Sequence, residues 1–239
     1  MRISIVTGVS RGLGAALFDQ LHTRGDRVVG IGRSFTAAQH TLAAAEPERV
    51  VLHQADLAVP DSLPSGAELE SLLAGGEHAA LIHNAAMVQP IGAVGALPAR
   101  ALADAVAVNL TAPMLLTNAF LAALPATMPA TILFLSSGAA HRRIDGWATY
   151  SSTKRAGESF FEAVAAQLAD RSPAITVTST NPGPMDTGMQ ASIRRSAEAD
   201  SWFPGGRQFV GFHERGELPD PAQVAQRLIA EHLTEVTSQ

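Results

Sequence analysis

The chain has 239 residues, a formal net charge of -5, scattered arginines and no cysteine. This length fits one domain with a sizeable core, so we predict a single domain over residues 1–239. The lack of a basic stripe argues against a nucleic-acid partner, and the lack of cysteine excludes disulfides and thiolate metal sites. No leader-like segment and no apolar run near the ~18 residues of a membrane span are present, so we expect a cytoplasmic protein without a membrane partner.

The first predicted strand, residues 3–6, runs into a glycine-rich turn. The turn reads Thr7-Gly8-Val9-Ser10-Arg11-Gly12-Leu13-Gly14 and leads into a helix-like segment at 15–22. Glycines here let the backbone approach a pyrophosphate, whose charge is favoured by the N-terminus of the helix. An ordinary tight β-α connection would also use glycine, but the position after the first strand favours a dinucleotide site.

The second predicted strand, near residues 26–32, ends in Arg33 and Ser34. A site for NAD would place a carboxylate here for the ribose 2′-hydroxyl, whereas Arg33 and Arg11 together are suited to a 2′-phosphate. We therefore predict that NADP(H) is favoured over NAD(H). The alternative is that both arginines are ordinary solvated surface residues.

Two further strands are predicted at residues 50–53 and 79–82. The first leads to Asp56 and Leu57, and Asp56 is placed to accept a hydrogen bond from an adenine amino group. The second leads to His83-Asn84-Ala85-Ala86, where small residues let a cofactor lie close and Asn84 is placed to hold neighbouring backbone groups. We interpret His83 as a structural histidine.

Helical spacing over residues 97–124 places Asn109 in mid-helix, where its side chain competes with the backbone for hydrogen bonds. We predict a kink or a water-holding position that faces the cofactor. The alternative is a tolerated polar residue.

The only tyrosine and the only lysine, Tyr150 and Lys154, are four residues apart. A helix would place them on one face. Lowering the pKa of a phenol by about three units from ~10 requires roughly 4 kcal/mol. A charge at ~4 Å supplies about that much at an effective dielectric constant of ~20, but only ~1 kcal/mol in water, so the site must be partly closed. Ser137 follows a predicted strand at 131–135 and is expected at the same edge, which argues against an ordinary surface helix.

A sixth predicted strand at 175–178 ends in the stiff turn Asn181-Pro182-Gly183-Pro184-Met185-Asp186-Thr187. This turn is expected to present backbone groups and the Thr187 hydroxyl to a carboxamide-sized ligand. Beyond it, four of the twelve aromatic residues fall within residues 202–212. We predict an apolar substrate lid at about 184–216, with a buried loop or an oligomer contact as the alternative. A final helix is predicted at 221–233.

Taken together, these motifs resemble the short-chain dehydrogenase/reductase family over essentially the whole chain. The matching pieces are Thr7-Gly8-x-x-x-Gly12-x-Gly14, Asn84-Ala85, Asn109, Ser137, Tyr150-x-x-x-Lys154 and Pro182-Gly183 followed by Thr187. The resemblance implies a Rossmann-type, doubly wound α/β fold with six or seven parallel strands and helices on both faces. It also implies hydride transfer between NAD(P)(H) and a small-molecule carbonyl.

By this resemblance, Tyr150 is the general acid, Ser137 orients the carbonyl oxygen, Lys154 holds the nicotinamide ribose and lowers the pKa of the phenol, and Asn109 positions a water. The expected cofactor-binding residues are Gly8, Ser10, Arg11, Gly12, Leu13, Gly14, Arg33, Ser34, Asp56, Leu57, Asn84, Ala85, Ala86, Tyr150, Lys154, Pro182, Gly183, Met185 and Thr187. The expected substrate-binding residues are Ser137, Trp147, Tyr150, Pro184, Met185, Met189 and Trp202. No metal site is expected.

A narrower resemblance concerns Gly146-Trp147, residues 186–191 and Arg194, which look like the benzil reductases that form (S)-benzoin and are related to sepiapterin reductases. It implies an NADPH-dependent reduction of bulky or aromatic ketones or 1,2-diketones. A non-catalytic NADP-sensing regulatory protein is the alternative function.

Two positions depart from the family pattern: His83 and Ala86 replace the more usual Asn and Gly. Residues 234–239 are too short and polar to supply a seventh strand convincingly. A tetramer is therefore in doubt, and we expect a homodimer through the helices near 100–124 and 150–170.

Overall fold

The computed structural model describes residues 1–172, 174–199, 203 and 206–233. Within them, six parallel strands form one sheet in the order β3-β2-β1-β4-β5-β6. The strands are β1 (Arg2–Thr7), β2 (Arg27–Gly32), β3 (Val50–Gln54), β4 (His78–His83), β5 (Ala130–Leu135) and β6 (Ile175–Thr180). The question of a seventh strand concerns residues 234–239, which lie outside the described residues.

Helices connect the strands and cover the sheet. They are α1 (Gly12–Arg24), α2 (Ala37–Ala45), α3 (Gly66–Leu73), α4 (Ala99–Val106), α5 (Ala112–Ala123), α6 (Ala148–Ala169), α7 (Gly188–Ala199), α8 (Arg207–Glu214) and α9 (Pro221–His232). Sequence signals set some of the boundaries. For example, α2 begins with a capping box in which Thr36 and Gln39 each bond the other's backbone N–H through a side chain.

Two apolar layers lie on opposite faces of the sheet. Phe120, Phe134 and Phe161 belong to the layer between the sheet and α3, α5 and α6. Phe18 and Leu228 belong to the layer between the sheet and α1 and α9. Because both faces are covered, β4 and β5 are nearly continuous buried runs. The edge strand β6 of the described sheet instead alternates apolar and polar residues. The predicted doubly wound α/β fold is confirmed.

A single π-helical turn, Ala107–Thr111, joins α4 to α5 and contains Asn109. The whole stretch Ala99–Ala123 is long and apolar enough to meet a length-and-composition test for a membrane span, which core helices of soluble proteins also meet. The expectation that no segment approaches such a span is therefore wrong by this measure. Leu116 and Phe120 on the stretch are buried in the core.

The parallel arrangement positions the candidate site. All six strands end at the same edge of the sheet, so the connections that follow β1, β4, β5 and β6 are neighbours there. These four connections are the glycine turn and the segments that begin at Asn84, Ser136 and Asn181.

Candidate active site

The turn after β1 is built for close approach. Gly8 and Gly12 have positive φ values of 74° and 56°, a conformation that side chains disfavour. At Gly14, an added Cβ would lie 2.0 Å from the carbonyl oxygen of Gly8. The turn therefore requires glycine at these positions, and it presents the N-terminus of α1 at the edge of the sheet.

Neighbouring connections lock this turn in place. The Asn84 amide donates to the carbonyl oxygens of Thr7 and Gly8 at 2.9 and 3.2 Å. The Thr7 hydroxyl accepts from the N–H groups of Asn84 and Ala85 at 3.1 and 3.0 Å. A Cβ on Gly12 would lie 3.2 Å from Cγ2 of Thr187. The structure thus brings the predicted residues of three connections together, and it adds Thr7, which the sequence motifs did not single out as a polar anchor.

The predicted adenosine end of the site is more open. Arg11, Arg33 and Ser34 are exposed, and within the described part of the chain the structure records no ion pair for either guanidinium. Asp56 follows β3, and its carboxylate accepts a hydrogen bond from the N–H of Ala58 at 3.0 Å. Leu57 beside it is buried in the core. The two arginines therefore remain available to an anionic ligand.

An open groove of about 740 Å³ lies beside the glycine turn, between α1, the start of α7 and the start of α9. Its lining includes Asp19, Asp186 and Asp220, and burial raises the pKa of the Asp19 carboxyl. Three carboxyl groups make this groove a poor site for the phosphates of a dinucleotide. Tyr150 does not line it.

Tyr150 and Ser137 lie together at the centre of the candidate site. Ser137 follows β5, and its Oγ accepts from the N–H of Ala139 at 3.2 Å, which leaves its hydroxyl hydrogen free to donate. Burial raises the pKa of Tyr150, and a hydrogen bond with Ser137 lowers it by less. The expectation that Lys154 lowers the pKa of Tyr150 is wrong for the protein without a bound cofactor. There, the rise in pKa caused by burial is the largest effect.

Lys154 lies on the same helix as Tyr150, and its side chain is turned into the protein. Its Nζ donates to the carbonyl oxygen of Leu135 at 2.7 Å. It lies 4.9 Å from the ring centroid of Phe134 and 5.9 Å from that of Tyr150. Burial lowers its pKa to about 8, although the carboxylate of Glu158 acts in the opposite direction. The ammonium is therefore near the ring of Tyr150 while it donates to the backbone of β5.

Asn109 is fully buried in the π-helical turn. Its amide donates to the carbonyl oxygen of Met87 at 2.9 Å and to the hydroxyl of Thr153 at 3.1 Å, and its Oδ1 accepts from the N–H of Met87 at 2.9 Å. The predicted kink is therefore present as a π-helical turn. Both hydrogens of the Asn109 amide already donate to protein groups. The predicted water would therefore have to bind to Oδ1 of Asn109 or to the backbone of this turn.

His83, at the end of β4, is a buried neutral histidine. Its Nε2 lies 2.9 Å from the hydroxyl of Thr117. Burial, assisted by the charge of Lys154, lowers its pKa to about 3. This environment agrees with the interpretation of His83 as a structural residue.

An aromatic cluster covers Tyr150. The Trp147 ring meets Tyr150 edge-on at 5.3 Å and stacks on Phe203 and Phe209 at 5.8 and 5.0 Å between centroids. Met189 and Phe212 pack against the same cluster. The chain around the lid forms two helices, α7 and α8, which the sequence patterns did not predict.

The other predicted substrate residues are placed less directly. Pro184 is exposed. Met185 lies in the apolar layer that contains α1 and α9 rather than in the aromatic cluster, and Trp202 is outside the described residues. Sequence inspection also missed two polar neighbours of the site, Thr153 and Glu158. The spacing of Glu158, four residues after Lys154, is the signal that could have found it.

The comparisons with known proteins agree with this architecture. The family described as short chain dehydrogenase matches residues 2–198. The chain is 31% identical to a benzil reductase ((S)-benzoin forming) of Bacillus subtilis (strain 168), over 96% of this chain and 93% of that protein. It is 30% identical to a sepiapterin reductase of Meriones unguiculatus, over 95% of this chain and 89% of that protein.

The crystal structure of the KRED1-Pglu enzyme is also similar, with a TM-score of 0.84 and 28% identity, and the match covers 100% of this chain and 97% of that chain. The family match spans most of the chain, and the structural match spans all of it. The chain therefore belongs to the short-chain dehydrogenase/reductase family of NAD(P)-dependent oxidoreductases.

Proposed function

We propose that this protein reduces a bulky or aromatic ketone or 1,2-diketone with NADPH. The observation that carries the proposal is the position of Ser137 and Tyr150 beneath an aromatic cluster, beside a buried ammonium. The similarity to benzil reductases supports the same substrate class.

The nicotinamide cofactor supplies the hydride when it is bound. Tyr150 donates the proton to the carbonyl oxygen, and Ser137 donates a hydrogen bond that orients this oxygen. Lys154 supplies a positive charge that stabilises the phenolate left behind. Gly8, Gly12 and Gly14 would hold the pyrophosphate at the N-terminus of α1.

The raised pKa of Tyr150 fixes the protonation state of the resting side chain. Burial raises this pKa, so the phenol is protonated at neutral pH and is available as an acid. The same burial excludes water, which strengthens any charge that comes to lie beside the ring. The phenol therefore carries the proton that the reduction needs, and a positive charge beside it, such as that of Lys154, favours release of that proton.

The aromatic cluster supports an aromatic substrate. Phe203 and Phe209 stack on Trp147, whose ring meets Tyr150 edge-on. An aromatic ring of the substrate could take the place of Phe203 or Phe209 and stack on Trp147 in the same way. The carbonyl group of the substrate would then reach Ser137 and Tyr150. We propose that residues 184–216 act as the lid that makes this exchange.

Two further expectations belong to the same proposal: the protein is cytoplasmic and forms a homodimer. Val106 and Leu115, on the helical stretch from α4 to α5, are exposed apolar side chains of the kind found at subunit contacts. The molar mass from light scattering tests the dimer.

The proposed reaction is tested by following NADPH oxidation with benzil in the wild type and in Tyr150→Phe. Loss of the general acid should lower kcat by about 100-fold or more, while NADPH binding, measured by titration, should persist. If the variant turns over as fast as the wild type, Tyr150 is not the acid. If the wild type binds NADPH but does not oxidise it with any carbonyl compound in a broad panel, a sensor is favoured over a reductase.

A further inference from the structure

A buried carboxylate lies one helical turn beyond Lys154. Glu158 is 8% exposed. Its Oε1 accepts a hydrogen bond from the Ser136 hydroxyl at 2.6 Å. Its Oε2 lies 2.8 Å from Nε2 of His141 and 3.5 Å from Nη1 of Arg155. The mechanism described above makes no use of this group.

Burying a charge is unfavourable unless an opposite charge or hydrogen bonds compensate for it. Lys154 is also buried, at 2% exposure, on the same face of α6. Each of the two groups therefore offsets part of the cost of burying the other. His141 and Arg155, in contrast, have side chains more than half exposed, so their charges are screened by water.

The hydrogen bond to Ser136 connects Glu158 to the reacting groups by a second route. Ser136 lies between Leu135, whose carbonyl accepts from Lys154, and Ser137, whose side chain lowers the pKa of Tyr150. Glu158 therefore holds the end of β5 against α6. Lys154 contacts β5 at Leu135, next to this point, and Ser137 follows directly after it.

We propose that Glu158 is a positioning residue for the reduction: its carboxylate keeps Lys154 in the charged form and fixes the Ser136-Ser137 segment against α6. The inference rests on the proposed carbonyl reduction. The titratable groups that act on Lys154 are Tyr150 and Glu158 on its own helix and His83 at the end of β4. Those recorded around Glu158, besides Lys154, are His141 and Arg155.

The single lysine makes a direct test possible, because lysine labelled with 13C at Cε gives one side-chain NMR signal from the whole protein. Its titration midpoint should fall by about one pH unit in Glu158→Gln, since an opposite charge nearby is lost. Glu162→Gln is the matched control, because Glu162 is an exposed glutamate one turn further along α6. The control should leave the midpoint at its wild-type value.

The rate profile supplies a second readout. In Glu158→Gln, the basic limb of kcat for NADPH oxidation with benzil should move to lower pH by the same amount as the lysine titration. Glu158→Asp keeps the charge and shortens the reach to Ser136, so its lysine midpoint should stay near the wild-type value while kcat falls. If Glu158→Gln does not fold, the fall in kcat of Glu158→Asp carries the test, and an unchanged kcat in that variant would overturn the inference.

A lysine midpoint in Glu158→Gln equal to that in Glu162→Gln would overturn the inference. The inference would also be overturned if the lysine midpoint in Glu158→Asp fell by about one pH unit, as expected for Glu158→Gln, because the Asp variant keeps the charge. Because the NMR titration needs no turnover, these outcomes are distinct from a failure of the proposed reaction, which would appear as a wild type that reduces no carbonyl.

Discussion

At the scale of single residues, the proposed preference for NADPH rests on Arg33, an exposed side chain beyond β2. Removing it in Arg33→Ala should weaken NADPH binding by roughly tenfold or more, because a charge-assisted hydrogen bond to a 2′-phosphate is lost. NADH lacks this phosphate, so its affinity should change little. Dissociation constants for both cofactors, measured by fluorescence titration, give the comparison.

Arg100→Ala serves as the control for Arg33→Ala. Arg100 is an exposed arginine on α4 that pairs with Asp104 at 2.8 Å. It should leave both affinities unchanged. Equal weakening of NADPH and NADH by Arg33→Ala would remove the basis for the NADP assignment.

Single residues also show what could be read from the sequence. The spacing of Tyr150 and Lys154 predicts a shared helix face, and the structure places both side chains on α6. The direction of the Tyr150 pKa could not be predicted, because it depends on how much protein covers the ring. The spacing of Glu158 from Lys154 indicates a shared helix face, but its hydrogen bond to Ser136, 22 residues away, could not be read from the sequence.

At the scale of elements, α6 approaches β5 closely at Gly157. A Cβ there would lie 2.4 Å from Cζ of Phe134, a buried ring that stacks on Phe161. Gly157→Ala should therefore lower the free energy of unfolding by about 1–3 kcal/mol through overpacking, even though alanine favours a helix by about 1 kcal/mol. Urea denaturation measures the change.

Gly66→Ala is the matched control for this contact. Gly66 begins α3, and a Cβ there would meet no atom within 4 Å. This variant should be neutral or slightly more stable, because alanine restricts the unfolded chain. A Gly157→Ala protein as stable as the wild type would mean that Phe134 moves aside without cost.

Elements differ in how well the sequence predicted them. The positions of the six described strands along the chain were predicted, because each is a short run with apolar residues followed by a polar or glycine-containing turn. Their order in the sheet was not predicted. The π-helical turn at Asn109 was predicted only as a kink. The Asn109 side chain bonds to Met87 and Thr153, and contacts with such distant residues cannot be read from the local sequence. Helices α7 and α8 were not predicted, because the apolar residues there were assigned to a lid without regular structure.

At the scale of the whole molecule, His83 couples stability to pH. Its pKa is about 3 in the folded protein and near 6.5 in an unfolded chain. Between these values the unfolded state binds more protons, so its contribution to stability is full above pH 6.5 and is lost as the pH falls toward 3. From pH 7 to pH 4.5 the loss from this residue should be about 2–3 kcal/mol.

His83→Asn should remove this part of the acid destabilisation. The quantity to compare is the difference in unfolding free energy between pH 7 and pH 4.5, because any constant effect of the substitution cancels in it. That difference should shrink in His83→Asn and stay the same in His40→Asn, which replaces an exposed histidine. An unchanged difference in both variants would show that His83 does not remain neutral when buried.

The whole fold was predictable from the alternation of strands and helices and from the glycine turn after β1. Its closure around the site was not, because it depends on contacts between distant segments. Gly146, for example, has a φ of 79°, and a Cβ there would lie 3.3 Å from the ring of Phe203. This position therefore lets a segment almost 60 residues later in the chain cover the start of α6.

The edge-on contact between Trp147 and Tyr150 has an optical consequence. Indole emission overlaps the absorption band of a reduced nicotinamide, so excitation of Trp147 would be transferred to a dihydronicotinamide ring bound beside Tyr150. Displacement of Phe203 or Phe209 from the indole face also changes the polarity that this fluorophore senses. In a variant without the second tryptophan, Trp202, the emission of Trp147 alone would therefore respond both to the coenzyme and to movement of the covering helices.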